Sequence, residues 1–149
     1  MLTASSKVPG LDGQKMSKSY HNTIKLRETP AEVESKVMTM PTDPARVRRT
    51  DPGEPTRCPV WQFHKMYSDD DTKKWVETGC RTAGIGCVEC KRPVIDAIHQ
   101  ELKPIQENIR MYEADMGLVK RIATEGSEKA REDAKKTLCD VREAMGLDD

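Results

Sequence analysis

Pro93-Val-Ile-Asp-Ala-Ile-His-Gln-Glu-Leu-Lys-Pro-Ile-Gln-Glu-Asn-Ile-Arg-Met-Tyr-Glu-Ala114 decides the fold class of this 149-residue chain. Its apolar residues Ile95, Ile98, Leu102, Ile105, Ile109 and Tyr112 recur at intervals of 3, 4, 3, 4 and 3, the pattern of one face of an α-helix. The spacing predicts the longest helix of the chain here. It assigns the stripe to packing and places a bend near Pro104, which lacks a backbone donor. The same periodicity continues upstream. Thr29-Pro-Ala-Glu32 offers an N-cap threonine, a proline at the first helical position and a glutamate three residues on, and Val33, Val37 and Met40 follow at helical spacing. Asp43-Pro44 repeats the cap-and-proline start and predicts a short helix through Arg49, after which Thr50-Asp-Pro-Gly-Glu-Pro-Thr56 reads as a linker. Cys58-Pro59 opens a helix with Val60, Phe63 and Tyr67 on one face. Ser68-Asp-Asp-Asp71 caps the next, which carries Trp75 and Val76 and stops near Gly79. Downstream, a short helix holds Leu118, Val119 and Ile122. A last one, capped by Ser127, aligns Ala130, Ala134, Leu138, Val141 and Met145 and ends at Gly146.

Composition agrees with a mainly α, heavily solvated protein. Hydrophobic residues make up 36% and charged residues 34%, with two Trp, three Tyr and one Phe, too few aromatics and too many charges for a sandwich or barrel. The 25 basic and 25 acidic residues cancel. Global attraction to nucleic acid is thereby excluded, and RNA binding has to rest on local patches such as Arg46, Arg48, Arg49 and Arg57, Lys73 and Lys74, or Arg81, Lys91 and Arg92. No apolar run approaches the ~18 residues of a membrane span, and Met1-Leu-Thr-Ala-Ser-Ser-Lys7 has no apolar core, so a cytoplasmic location without membrane partners is expected. Five cysteines in a reducing compartment are then free or metal-bound rather than paired.

Two motifs carry chemistry. Lys15-Met16-Ser17-Lys18-Ser19, behind the turn Gly10-Leu11-Asp12-Gly13, puts two ammonium groups and two hydroxyls on one loop, equipment for holding polyphosphate. Glycine at 10 and 13 lets the backbone bend with positive φ, and the motif is expected to be mobile. Cys58, Cys80, Cys87 and Cys90 form a C-x21-C-x6-C-x2-C pattern whose last pair has the close sulfur spacing of zinc or iron-sulfur sites; Gly84 and Gly86 let the intervening loop wrap. Spacing does not choose between Zn²⁺, a cubane cluster and free thiols. Cys139, near the final helical stripe, reads as a small core or boundary residue.

The pentapeptide resembles the second signature of the class I aminoacyl-tRNA synthetases. The string Gly10-Leu-Asp-Gly-Gln-Lys-Met-Ser-Lys-Ser-Tyr-His-Asn-Thr-Ile24 resembles their tryptophan-specific members. Thr42-Asp-Pro-Ala-Arg-Val-Arg-Arg-Thr-Asp-Pro-Gly53 and Gly79-Cys-Arg-Thr-Ala-Gly-Ile-Gly-Cys-Val-Glu-Cys-Lys91 resemble segments downstream of that loop in bacterial tryptophanyl-tRNA synthetases. A His-Ile-Gly-His-like signature does not occur, and His21, His64 and His99 are each isolated. The resemblance therefore implies the C-terminal portion of such an enzyme, without its Rossmann catalytic domain. Residues 1–28 would be the end of the catalytic domain with its lysine loop, and 29–149 a helical anticodon-binding bundle.

The resemblance further implies ATP-dependent activation of tryptophan and transfer to tRNA(Trp), with Mg²⁺ accompanying ATP and a homodimer in the full-length enzyme. Lys15 and Lys18 would stabilise charge on the departing pyrophosphate, with Met16, Ser17 and Ser19 completing the nucleotide loop. Some similar enzymes bind a [4Fe-4S] cluster through four cysteines, which would here be Cys58, Cys80, Cys87 and Cys90, the first gap being one residue shorter. Arg81, Lys91 and Arg92 would meet the tRNA. Two other readings stand beside this one: a tRNA-binding module without catalysis, and a metal- or redox-responsive four-cysteine protein.

Overall fold

The structure, a computed structural model, describes residues 7–147; the first six residues of the 1–28 segment lie outside it. Five α-helices and two 3₁₀ turns account for its regular structure, and among the described residues the extended chain forms a single isolated bridge, between Pro9 and Lys15. The chain divides into two compact units, 1–106 and 107–149.

The first unit is built from α1 (Pro30–Thr39), α2 (Pro59–Tyr67), α3 (Asp70–Arg81) and most of α4 (Cys87–Ala114). Helix α1 begins as its sequence requires: the Thr29 side chain accepts from the Glu32 N–H, the Glu32 carboxylate accepts from the Thr29 N–H, and Pro30 fills the first turn. Val33 and Val37 of α1, Val60 and Phe63 of α2, and Val94, Ile95, Ile98 and Leu102 of α4 form one apolar core with Met40. The α4 stripe is buried through Leu102, half-buried at Ile105 and Ile109, and exposed at Tyr112. Helix α4 is pinned to the α1 region by polar contacts: Lys91 Nζ donates to the Met38 and Met40 carbonyls, both at 2.7 Å, and Gln106 Nε2 donates to the Glu28 carbonyl at 2.9 Å. The second unit holds the end of α4 and α5 (Met116–Met145).

Several expectations are corrected. No helix follows Asp43-Pro44. The Asp43 carboxylate is buried and accepts from the Ala45 and Glu54 N–H groups and from Arg57, contacts that fold 43–57 back on itself. Thr50–Thr56 is consequently no free linker; Gly53 N–H donates to the Cys80 carbonyl at 2.9 Å. Helix α3 is capped by Asp69 and runs past Gly79, which is small because Ile85 packs onto it. Helix α4 starts six residues before Pro93, continues through Pro104, and is shorter than α5, which has 30 residues. The two expected C-terminal helices are one. Asp115 caps it, and Ser127 bonds back to the Ala123 carbonyl instead of starting a new helix. Gly146 ends α5 with φ 65°, as expected, and Cys139 is exposed.

Candidate functional site

The lysine loop is tied at every turn of its backbone. Gly10 N–H donates to the Gln14 carbonyl (2.6 Å), Gly13 N–H to the Gly10 carbonyl (2.9 Å) and Met16 N–H to the Val8 carbonyl (2.9 Å). Asn22, only 4% exposed, is the hub: its amide nitrogen donates to Asp12 Oδ1 (2.7 Å) and the Lys15 carbonyl (3.2 Å), while its Oδ1 accepts from the Ser17 N–H (2.8 Å). The Asp12 carboxyl is held below the ordinary aspartate range by the Asn22 hydrogen bond first and the Gln14 N–H second. Gly13 adopts φ 82°, the left-handed conformation expected of it. Gly10 serves differently: a Cβ there would collide with the Asn22 amide. Hydrogen bonds thus tie the backbone of the motif to Asp12 and Asn22. From it the exposed Lys15 and Lys18 extend without an ion pair among the described residues, and Met16 packs against the core.

The four cysteines, distant in sequence, come together. Cys58 before α2, Cys80 in α3, and Cys87 and Cys90 in the first turn of α4 line one mostly apolar cavity of about 20 Å³ with Thr42, Asp43, Arg46 and Val60. The turn leading to Cys87 bends at Ala83 (φ 57°), not at Gly84 or Gly86. Burial pushes the Cys58 and Cys80 thiols up, and pushes Cys90 up to about 12 with help from the other three thiols. Among the described residues no three ligating side chains stand as a ready mononuclear metal group.

Two side chains unanticipated as partners of the cysteines are Arg46, which lines this cavity, and His64, which contacts Cys90. Arg46 is buried and donates to the Arg49 (2.9 Å) and Ile85 (2.6 Å) carbonyls, leaving its Nε without a partner and its charge without a carboxylate ion pair among the described residues. His64 is fully buried, with Nε2 3.0 Å from the Cys90 carbonyl and 3.4 Å from Cys90 Sγ, and Nδ1 2.7 Å from Ser68 Oγ. Because a carbonyl only accepts, Nε2 carries the proton and Nδ1 accepts from the serine. An isolated histidine gives no such signal in sequence, whereas an arginine three residues after a capping aspartate was visible but read as surface.

Of the three cations expected to meet RNA, two are on the surface. Arg81 pairs with Glu54 and Glu77, and Arg92 with Glu34. Lys91 is corrected: it is 4% exposed, and its ammonium satisfies carbonyls at the C-terminal end of α1, where the helix leaves acceptors unpaired.

Comparison with known proteins follows this geometry closely. A family model described as tRNA synthetases class I (W and Y) matches residues 1–103. The tryptophan–tRNA ligase of Ralstonia nicotianae is 59% identical over 147 residues, covering 99% of this chain and 37% of that protein. The tryptophan–tRNA ligase of Thermotoga maritima is 47% identical over 148 residues, covering 99% and 45%. Among solved structures, tryptophanyl-tRNA synthetase from Campylobacter jejuni, complexed with ADP and tryptophan, superposes with a TM-score of 0.78 at 26% identity, over 95% of this chain and 44% of its own. The chain thus spans less than half the length of these relatives.

Proposed function

Since the chain belongs to the class I tRNA synthetases of the W and Y type, we propose that it supplies the phosphate-handling loop and the tRNA-recognition helices of a tryptophan–tRNA ligase. The observation that carries this reading is the lysine loop itself: two ammonium groups without an ion pair among the described residues, on a backbone hydrogen-bonded through Asp12 and Asn22. Preorganised cations contribute most where charge develops in the transition state. In adenylate formation that place is the bridging and terminal oxygens of the departing pyrophosphate. Lys15 and Lys18 stabilise them, and the Ser17 and Ser19 hydroxyls donate to phosphate oxygens. The ATP brings Mg²⁺. The Campylobacter relative, whose structure holds ADP and tryptophan, supports these as the ligand classes.

The test is a chimera in which residues 1–149 replace the matching segment of the Ralstonia ligase. It is expected to catalyse tryptophan-dependent ATP–pyrophosphate exchange. Lys15→Ala or Lys18→Ala is expected to slow exchange by roughly 100-fold, in the range of a lost transition-state donor, with little change in tryptophan affinity. Equal losses in rate and affinity would remove the role. Transfer to tRNA(Trp) through the surface arginines Arg81 and Arg92, and dimerisation, belong to the same proposal and are read from aminoacylation and from the mass of the chimera in solution.

The four cysteines hold a metal centre in this reading, with [4Fe-4S] preferred and Zn²⁺ the alternative. The donor set and a buried guanidinium fit such a centre: Arg46 has a buried Nε without a hydrogen-bond partner and makes no carboxylate ion pair among the described residues, and thiolates on a metal present negative charge that would offset it. A bound cluster would supply a rigid four-point tie. Cys58, Cys80, Cys87 and Cys90 would each hold it, and Arg46 would balance its charge. Iron and sulfide analysis with visible absorption of anaerobically purified protein decides between cluster, zinc and free thiols.

A further inference from the structure

Resting on the reading of the lysine loop as an oligophosphate holder, we infer that α2 completes that site: Gln62 and Lys65, together with Lys7, form with Lys15 a pocket for a compact oligophosphate. The class is pyrophosphate or the phosphate chain of a nucleoside triphosphate. A cavity of about 470 Å³ separates the loop from α2. Lys7, Gln14 and Lys15 line it on one side, and Gln62, Lys65 and Met66 on the other. Three lysines thus line one space, and among the described residues no carboxylate lines it.

Several cations elsewhere in this unit pair with carboxylates, as in Lys36–Glu28, Arg49–Glu89, Arg57–Asp43, Arg81–Glu54 and Arg92–Glu34. Lys7, Lys15 and Lys65 make no ion pair among the described residues. Three unneutralised cations around one cavity repel one another, and an anion of several charges removes that repulsion.

Both walls are held in place. Gln62 and Lys65 stand three residues apart, on one face of α2. The residues between them, Phe63 and His64, are fully buried and anchor the helix. Gly13 lies against Pro59 at the start of α2, where a Cβ would come within 3.1 Å of the proline ring. The amides of Gln14 and Gln62 add neutral donors suited to phosphate oxygens.

The lining favours a compact anion over an RNA strand. Recognition of single-stranded RNA uses aromatic platforms for unstacked bases, and among the described residues no aromatic side chain lines this pocket. A strand also spreads its charge one phosphate at a time, whereas an oligophosphate concentrates it within a space of the size the three lysines line.

Calorimetric titration of the 149-residue chain with pyrophosphate, ATP and AMP tests the inference. Pyrophosphate and ATP are expected to bind, with AMP about tenfold weaker or more, because a single phosphate engages fewer of the charge-assisted donors. Binding of pyrophosphate but not ATP assigns the pocket to the released product, and comparable binding of both to the phosphate chain of the nucleotide; either supports it. Lys65→Ala is expected to weaken pyrophosphate binding about tenfold. Lys65→Arg is expected to restore most of it, and Lys73→Ala on α3 to leave it unchanged. Lys65 is exposed, and an unaltered far-UV spectrum separates lost binding from lost folding. Weakening by Lys15→Ala but not by Lys65→Ala overturns the α2 contribution while the loop's role stands. No binding of either polyphosphate at millimolar concentration overturns the pocket, and the exchange assay on the chimera then judges the loop alone. A short single-stranded RNA that binds more tightly than pyrophosphate and is released by Lys65→Ala overturns the oligophosphate assignment in favour of a nucleic-acid backbone.

Discussion

Asp12 shows how a single side chain can set the state of a functional loop. Its carboxylate accepts from the Asn22 amide and the Gln14 N–H, and both bonds favour the ionised form, so its folded pKa lies below the ordinary aspartate range. A depressed carboxylate contributes stability above its unfolded pKa, about 3.9, and loses that contribution as pH falls through the lower folded value. The Asn22 side-chain amide and the Gln14 backbone amide are therefore expected to report one titration by NMR, with a midpoint below that of an ordinary aspartate. Asp12→Asn is expected to abolish the transition. The lysines, the turn glycines and the cysteine spacing were legible at this scale because each is a residue type with a narrow use. Asn22, Arg46 and His64 were not. Their work depends on partners as far as 39 positions away in the chain, as in the Arg46 bond to Ile85 O.

At the scale of elements, sequence periodicity was most reliable where a face is buried. Thr29-Pro30 to Met40, Pro59 to Tyr67 and the first half of the α4 stripe form as their spacing requires. It misjudged two kinds of boundary. Asp43-Pro44 carries the capping chemistry of a helix start, but the buried Asp43 carboxylate also accepts from the Glu54 N–H and from Arg57, and these bonds hold it in the folded-back 43–57 segment. In α5 Ser127, read as a cap, suggested a break, although none of its residues is buried and helix continuity costs only the local propensity. Gly126 sits inside that exposed helix with nothing within 4 Å of where a Cβ would be. Gly126→Ala is accordingly expected to stabilise α5 by about 0.5–1 kcal/mol, read as increased helicity and a later thermal transition of the second unit. Gly79→Ala makes the opposite case, because its Cβ would lie 2.8 Å from Ile85.

At the scale of the molecule, the first unit draws its order from two sources of different chemistry. One is the apolar core shared by α1, α2 and α4. The other is the cysteine cavity, where four thiols connect the start of α2, the end of α3 and the first turn of α4. Ligand binding to the folded state alone adds stability by mass action. If these thiols hold a metal, its removal by chelation under reducing conditions is expected to lower the melting temperature of the first unit by about 8 °C or more, the shift that roughly 2 kcal/mol produces in a domain of this size. Replacing Cys139, which is exposed and outside the cavity, is expected to change nothing in that experiment.

The contact between Gly10 and Asn22 implies a severe limit on variation. Asparagine at 22 must donate to two acceptors and accept from one N–H at once, which neither a carboxylate nor an apolar isostere can do, and it fills the space that any side chain at 10 would occupy. Of the 400 pairings that two randomised codons encode, roughly one satisfies both the volume and the bonding pattern. Selection for exchange activity from such a library in the chimera should therefore return Gly10 with Asn22, making this pair a register mark by which the loop can be found in diverged sequences.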